Sequence, residues 1–228
     1  MRVAELYESR QGEGALTGVT SVFVRTSGCN LRCWFCDTPF ASWTPEGDDL
    51  SVDEVRDRVL AFSTPHVVLT GGEPMLFAEL IPLTEQLRRA GRHITIETAG
   101  TLDLPVVCDL MSLSPKLTGS GPRAGAADHW TDRHDRTRHR PQVIRSLIGR
   151  YDYQLKFVVD EPADCQAVED YLGELPQIDR ARVWLMPQGI SREELASREV
   201  WLQAYCEQHS LKFCPRRQIE WFGYTRAT

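Results

Sequence analysis

Three cysteines that fall within eight residues are the chemically most informative feature of this 228-residue chain. Cys29, Cys33 and Cys36 have the spacing C-x3-C-x2-C. Thiolates this close together can hold a soft metal ion or an iron–sulfur cluster. Structural zinc sites usually take four ligands from two short pairs, and the sequence contains no second pair. Three thiolates would leave one iron of a [4Fe–4S] cluster open to a small molecule.

The remaining cysteines and the composition describe the setting of this motif. Cys108, Cys165, Cys206 and Cys214 are scattered singly, which is typical of small core residues. Apolar residues make up 42% and charged residues 25% of the chain, so a disordered or coiled-coil protein is excluded. The net charge of −6 argues against bulk nucleic-acid binding. Since the N-terminus has no apolar signal core and no apolar run could span a bilayer, we expect a soluble, cytoplasmic protein without a membrane partner.

Predicted strands alternate with predicted helices along the chain, which is typical of an α/β fold with a parallel sheet. Ser51 is a good helix N-cap because Glu54 follows three residues later. The strands are predicted at Thr20–Thr26 and at residues 67–70, 93–97, 106–113, 154–160, 182–186 and 211–214, and the helices at residues 50–62, 76–90, 163–172 and 193–209.

Short polar motifs follow four of these strands, at residues 71–74, 98–101, 114–116 and 187–189. Right-handed crossovers place the carboxyl ends of parallel strands on one rim of the sheet. Parallel α/β folds have their ligand sites at that rim. The sequence therefore predicts one site there, next to the cysteine loop (residues 29–36), which directly follows the first predicted strand.

The cysteine spacing, together with Gly71-Gly72-Glu73-Pro74, resembles the radical S-adenosylmethionine superfamily. In that superfamily the amino and carboxylate groups of S-adenosylmethionine chelate the open iron of a [4Fe–4S] cluster, and reduction releases a 5′-deoxyadenosyl radical. The resemblance implies a partial (β/α) barrel of about six parallel strands. The cofactor supplies the difficult chemistry, and the protein orients the reactants and excludes water and oxygen.

The same resemblance implies contacts with S-adenosylmethionine. The Gly-Gly-Glu-Pro turn would meet the methionine amino group, because glycine permits close backbone approach and a carboxylate attracts an ammonium group. Residues 114–116 would touch the nucleoside half. The residues implied for this cofactor are Phe35, Asp37, Gly72, Glu73, Ser114, Pro115, Lys116 and Gln188.

Further motifs are similar to those of the 7-carboxy-7-deazaguanine synthase family. They are Gln11-Gly12-Glu13-Gly14, Phe23-Val24-Arg25, Cys36-Asp37-Thr38 and Trp221-Phe222-Gly223. The similarity implies a ring contraction in which 6-carboxy-5,6,7,8-tetrahydropterin becomes 7-carboxy-7-deazaguanine and ammonia is lost, a step of queuosine and 7-deazapurine biosynthesis. It also implies a Mg²⁺ ion, a homodimer and a reductant such as flavodoxin.

The implied substrate is an anion whose pterin edge carries hydrogen-bond donors and acceptors. Arg25 can grip the substrate carboxylate in bidentate fashion. Gln11, the Gly12 backbone and Glu13 can read the pterin edge, and Thr70 belongs to the same implied set. The alternative for Arg25 is a surface arginine on a strand.

Thr38 is the Mg²⁺ ligand that the resemblance implies. A single hydroxyl is sufficient because Mg²⁺ keeps waters and readily takes substrate oxygens. The alternative is a hydroxyl that caps a helix or a turn. Two other positions depart from the family pattern: Arg10 stands where an apolar residue is usual, and Ala227 stands where glycine is frequent.

Residues 118–141 interrupt the α/β pattern. The segment has five arginines, three aspartates and three histidines but almost no aliphatic residues. We interpret it as an irregular, exposed and basic insert in a single domain that spans residues 1–228. A metal site of His129, His134 and His139 is an alternative, although the five-residue spacing matches no common ligand pattern. The basic charge would suit an acidic flavodoxin as a docking partner.

Two other functions fit parts of the sequence. One is a glycyl-radical-enzyme activase of the same superfamily, whose substrate is a protein backbone. The other is a zinc-binding or iron–sulfur electron-transfer module with no enzyme activity. The second alternative gives no role to residues 11–14 or 71–74.

Overall fold

One continuous sheet organises the chain, and the computed structural model describes residues 1–123 and 128–228. The strands are β1 (Arg2–Arg10), β2 (Thr20–Thr26), β3 (Asp48–Asp49), β4 (His66–Gly71), β5 (His93–Thr98), β6 (Leu110–Leu113), β7 (Tyr153–Val159), β8 (Val183–Pro187) and β9 (Lys212–Phe213). Their order is β3-β1-β2-β4-β5-β6-β7-β8-β9. Strands β2 to β9 are parallel in this order, whereas β1 runs antiparallel to β2 and β3.

Helices connect the strands, so the predicted α/β fold is confirmed. They are α1 (Pro39–Ser42), α2 (Val52–Leu60), α3 (Leu80–Arg89), α4 (Asp128–Arg138), α5 (Pro141–Arg150), α6 (Pro162–Gly173), α7 (Arg192–Gln208) and α8 (Arg217–Phe222). Helix α2 begins with the predicted capping box: the Ser51 hydroxyl accepts from the Glu54 backbone, and the Glu54 carboxylate accepts from the Ser51 backbone. Among the described helices, none is both long and apolar enough to cross a membrane.

The outer face of the sheet forms the hydrophobic core with the helices. The strand register places Val24 beside Leu69, Leu69 beside Ile96, and Ile96 beside Met111, and all four side chains are completely buried. Burial of each such side chain contributes about 1.5–3 kcal/mol. The apolar row therefore holds the four central strands against their helices.

A polar row lies one residue further along the same strands. The register places Arg25 beside Thr70, Glu97 beside Ser112, and Ser112 beside Gln154. Successive side chains of a strand point to opposite faces, so this row lies on the inner face, away from the helices. The inner face is thus built to bind a polar ligand.

Several parts of the chain differ from the sequence predictions, among them helices α1, α5 and α8, which were not predicted. Strand β1 was not predicted either; its residues Glu5 and Tyr7 are held by Arg25 of β2, a contact that the local sequence does not show. Strand β6 is shorter than the predicted residues 106–113. The insert is not irregular throughout, because Asp128–Arg138 form helix α4; residues 124–127 of the insert lie outside the described part.

The insert is also not simply solvated. His134 is completely buried, its Nδ1 accepts a hydrogen bond from the Arg32 backbone at 3.1 Å, and its Nε2 lies 3.0 Å from the Ser120 hydroxyl. Burial lowers the pKa of His134 to about 4, so the ring is neutral at pH 7. The helix is held by a histidine that contacts backbone and hydroxyl groups, which a search for aliphatic periodicity does not detect.

Candidate active site

A cavity of about 420 Å³ opens at the carboxyl ends of the parallel strands. Nearly every side chain predicted for the site lines it, so the expected convergence on one rim is confirmed. The predicted residues that line it are Gln11, Gly12, Glu13, Arg25, Cys29, Cys33, Phe35, Cys36, Asp37, Thr38, Thr70, Gly72, Ser114, Lys116 and Gln188.

The cysteine loop lies against the turn that follows β4. A Cβ atom at Gly72 would be 2.2 Å from the Gly28 carbonyl oxygen, so only glycine permits this approach. The Cys36 Sγ lies 3.1 Å from the Ser42 hydroxyl. Burial raises the pKa of Cys29 to about 12 and that of Cys33 to about 11. Metal binding must therefore displace thiol protons.

The donor set of this loop fits an iron–sulfur cluster. Three thiols on one loop face the cavity, and thiolate is the ligand type that such clusters require. No three side chains of the described residues converge on a single metal-ion position. A cubane cluster does not require such convergence, because each cysteine binds a different iron.

Two of the predicted residues lie elsewhere. Glu73 is fully buried below the cavity. Its carboxylate accepts hydrogen bonds from the Thr98 hydroxyl (2.7 Å), the Ala99 backbone (2.9 Å) and the Met75 backbone (3.0 Å). Burial raises the pKa of Glu73, although these hydrogen bonds oppose the effect. In this structure its side chain therefore fixes the turn and the following strand end.

Pro115 lines a second cavity of about 380 Å³, which adjoins the first through Phe35 and Lys116. The Lys116 ammonium donates to the Ser114 carbonyl at 2.8 Å and to the Ser114 hydroxyl at 2.7 Å. These contacts fold the predicted nucleoside-binding segment onto itself. The two cavities together border the whole segment from residue 114 to residue 116.

Buried charges form a network on the cavity floor. The Lys156 ammonium donates to Glu13 Oε2 at 3.0 Å and to Glu97 Oε1 at 2.8 Å. The Arg216 guanidinium contacts Glu13 at 3.3 Å and is paired with Asp37. Burial alone would raise the pKa of Glu13. The charges of Lys156 and Arg216 outweigh this effect and lower the pKa to about 2. Glu13 is therefore an ionised acceptor at neutral pH.

Arg25 lies at the opposite wall, where β1 contributes its partners. Its Nε donates to the Glu5 carboxylate at 2.8 Å, and its Nη2 donates to the Tyr7 hydroxyl at 3.0 Å. Its side chain is 17% exposed, which excludes the alternative of a surface arginine. On the neighbouring strand, the Thr70 hydroxyl donates to Glu97 at 3.0 Å.

Residues 11–14 are fixed by their neighbours and do not form a free turn. Gln11 is buried and donates to the Ser21 hydroxyl at 2.9 Å. A Cβ atom at Gly12 would lie 2.7 Å from the Gln218 backbone nitrogen, so glycine is required for helix α8 to approach. The Gln218 amide donates to Glu13 at 2.6 Å.

Thr38 lies beside the third cysteine, with its hydroxyl 3.8 Å from Cys36 Sγ. It occupies the N-cap position of α1, but its side chain makes no capping hydrogen bond. Thr38 also lines the cavity. The helix-capping alternative is therefore wrong, and the residue borders the space where a ligand would bind.

The C-terminal residues close one side of the cavity. The Tyr224 hydroxyl donates to the Asp37 carbonyl at 2.7 Å, and Arg226 donates to Glu5 at 3.1 Å. The Arg10 guanidinium lies 4.4 Å from the centre of the Trp221 ring, so the residue that departs from the family pattern makes a cation–π contact. Ala227 has a φ angle of +55°, a conformation that favours glycine.

Sequence reasoning missed Lys156, Arg216, Gln218, Glu5 and Tyr7. The sequence pattern could have revealed Lys156, since a lysine in the middle of the apolar strand β7 needs a buried partner. It could not have revealed Arg216, because the contacts of Arg216 with Glu13 and Asp37 join segments that are far apart in the chain.

The chain is similar to known proteins over nearly its full length. Residues 23–120 match the family model described as the radical SAM superfamily. The chain is 46% identical to the 7-carboxy-7-deazaguanine synthase of Rhodopirellula baltica over 227 residues, which cover 99% of this chain and 88% of that protein. It is 40% identical to the protein of the same name from Halobacterium salinarum, with 95% and 88% covered.

Solved structures support the fold. The crystal structure of QueE from Escherichia coli superposes with a TM-score of 0.67 and 24% identity, and covers 94% of this chain and 92% of that chain. This likeness confirms the predicted α/β fold of a partial (β/α) barrel.

Proposed function

Because this chain belongs to the 7-carboxy-7-deazaguanine synthase family of radical S-adenosylmethionine enzymes, we propose that it converts 6-carboxy-5,6,7,8-tetrahydropterin to 7-carboxy-7-deazaguanine with loss of ammonia. The observation that carries this proposal is that one cavity contains both the three thiols and a row of polar and charged side chains. A protein-modifying activase and a zinc module account for the thiols but not for the similarity along nearly the full length of named synthases.

The cofactor end of the cavity is the cysteine loop. We assign Cys29, Cys33 and Cys36 as ligands of three irons of a [4Fe–4S] cluster. With S-adenosylmethionine bound, the reduced cluster would supply the radical chemistry that removes a hydrogen atom from the substrate. Phe35, Gly72 and the segment of residues 114–116 border the space for that cofactor, with Asp37 and Gln188 at its margins.

The substrate end is the polar row. Arg25 uses Nε and Nη2 for Glu5 and Tyr7, so in place of the expected bidentate grip we assign its Nη1 to the substrate carboxylate. The ionised Glu13 accepts hydrogen bonds from the donor edge of the pterin, with Gln11 and the Gly12 backbone beside it. Thr70 and Glu97 border the ring. Groups fixed in this way reject analogues that leave them unpaired.

The proposed activity is tested by supplying the anaerobically reconstituted, reduced protein with carboxytetrahydropterin, S-adenosylmethionine and Mg²⁺. We expect 7-carboxy-7-deazaguanine and ammonia in equal amounts, measured by chromatography with mass detection. A reaction without reductant is the control and should give no product. A brown protein that binds S-adenosylmethionine but forms no deazaguanine would overturn the assignment and favour the activase.

Thr38 is the residue for which the Mg²⁺ assignment can be tested separately. The change Thr38→Ala should raise the Mg²⁺ concentration for half-maximal rate about tenfold, because the one protein ligand assigned to the ion is lost. Iron content should be unchanged, since Cys36 is untouched. Thr38→Ser is the matched control and should respond to Mg²⁺ as the wild type does. An unaltered Mg²⁺ response of Thr38→Ala would contradict the assignment.

The remaining partners are also proposals. A flavodoxin-type reductant, a homodimer and a cytoplasmic location follow from the family resemblance. Size measurement in solution and reduction by purified flavodoxin would test the first two.

A further inference from the structure

Helix α4 of the insert contacts the cysteine loop through Arg32, which lies between the first two cysteines. The Arg32 side chain folds back onto its own loop, where Nη1 donates to the Cys29 carbonyl at 2.8 Å and to the Leu31 carbonyl at 2.7 Å. Arg32 is only 7% exposed. A buried arginine without a carboxylate among these contacts is unusual, so its charge requires a partner.

Aromatic rings cover this guanidinium. Its central carbon lies 3.8 Å from the centre of the Trp130 ring on α4 and 5.9 Å from that of Trp43. Trp43 in turn donates its ring N–H to the Cys33 carbonyl at 3.2 Å. The rings exclude water from the cation and hold it against the loop that carries the three thiols.

The backbone at Arg32 is fixed by the same helix. His134 Nδ1 accepts from the Arg32 N–H. The Ser120 hydroxyl donates to the Leu117 carbonyl at 2.6 Å and so accepts from His134 Nε2. Each polar atom of the ring thus has one partner, and the Ser120 carbonyl accepts from the Trp34 backbone at 3.1 Å. The insert therefore sets both the backbone and the charge of the cysteine loop.

We propose that Arg32 is a positioning residue for the iron–sulfur cluster. The buried charge of Arg32, held in place by Trp130 and His134, raises the reduction potential of the cluster. The inference rests on the cluster assigned under the proposed function. Reduction adds one negative charge to the cluster, and a fixed cation nearby stabilises that charge more strongly inside the protein than in water. Net charge and exposure near the cluster are recognised determinants of its potential.

Arg32→Gln provides the direct test. The anaerobically reconstituted protein is titrated with a chemical reductant, and the reduced cluster is followed by electron paramagnetic resonance. We expect the midpoint potential to become more negative while the iron and sulfide content stays at the wild-type level. Arg32→Lys keeps the charge and should stay closer to the wild type. Arg136→Gln removes an exposed charge of the same helix and should leave the potential unchanged, because water screens that charge.

Trp130→Leu keeps Arg32 but removes its cover, so the potential should move in the same direction by a smaller amount. This variant decides the matter if Arg32→Gln fails to hold iron. If Arg32→Gln contains a complete cluster and has the wild-type potential, the proposal is overturned. If Arg32→Gln contains no cluster, a wild-type potential in Trp130→Leu would overturn it. An equal change in Arg136→Gln would overturn it too. Product formation by the wild type is measured separately, so a failure of the proposed function is distinguishable.

Discussion

Replacing Cys33 with alanine should abolish assembly of the iron–sulfur cluster and, with it, all product formation. Cys33 is the central thiol of the motif, lines the cavity and is almost fully buried. A cluster that keeps only Cys29 and Cys36 has two irons without a protein ligand instead of one. Iron and sulfide analysis after anaerobic reconstitution, the visible absorption spectrum and the product assay measure the loss.

Cys206→Ala is the matched control for this experiment. Cys206 is a buried cysteine of helix α7 within the hydrophobic core. Removing its sulfur leaves a small cavity and costs about 1 kcal/mol, but the cluster content and the rate should stay at the wild-type level. Full iron content and turnover in Cys33→Ala would refute the ligand role. Equal loss in both variants would show that cluster assembly merely follows protein stability.

The parts of the fold that sequence predicts well are those whose signals are local. The residues that determine such an element lie within a few positions of it. Examples are the capping box at Ser51, the strand Thr20–Thr26 and the turn at Gly71-Gly72. Once these elements were placed in a parallel sheet, topology alone brought residues 71–74, 98–101 and 114–116 to one rim. The meeting of these segments at one rim was therefore predictable from the sequence, whereas their ligand roles came from the family resemblance.

The parts that sequence missed depend on contacts between distant segments. Strand β1 carries Glu5 and Tyr7 because its inner face borders Arg25, and this partner lies on another strand. Helix α4 is held through His134 and Trp130, whose partners Ser120 and Arg32 lie outside the helix. Glu73 was expected to face the cofactor, since the motif does not reveal that Thr98 and Ala99 would take up its carboxylate.

The second large effect is expected at Lys156, which lies between two carboxylates on the cavity floor. The change Lys156→Met leaves Glu13 and Glu97 without their shared cation. Loss of one partner of a buried ion pair costs about 3–5 kcal/mol, because an uncompensated charge stays inside. We expect the free energy of unfolding, measured with urea at pH 7, to fall by about this amount, and product formation to fall with it because Glu13 loses its fixed position.

Lys212→Met is the control for the loss of a lysine. Lys212 is exposed on β9, with its ammonium 4.9 Å from the centre of the Trp184 ring. Such an exposed cation–π contact contributes about 0.5–1 kcal/mol, and Glu13 is paired with Lys156 and Arg216 rather than with Lys212. A destabilisation by Lys156→Met no larger than that of Lys212→Met would contradict the proposed network.

The pH dependence of Lys156→Met distinguishes a lost charge pair from lost packing. In the wild type, the pKa of Glu13 is about 2 because Lys156 and Arg216 outweigh the effect of burial. Its stabilising contribution is therefore complete above the unfolded pKa of about 4.3 and disappears as the pH falls through about 2. Without Lys156, the Glu13 pKa rises, and the folded variant takes up a proton at a pH where the folded wild type does not. This extra proton stabilises the variant relative to the wild type, so the difference in unfolding free energy should be smaller at pH 4 than at pH 7. A packing defect alone would give the same difference at both values.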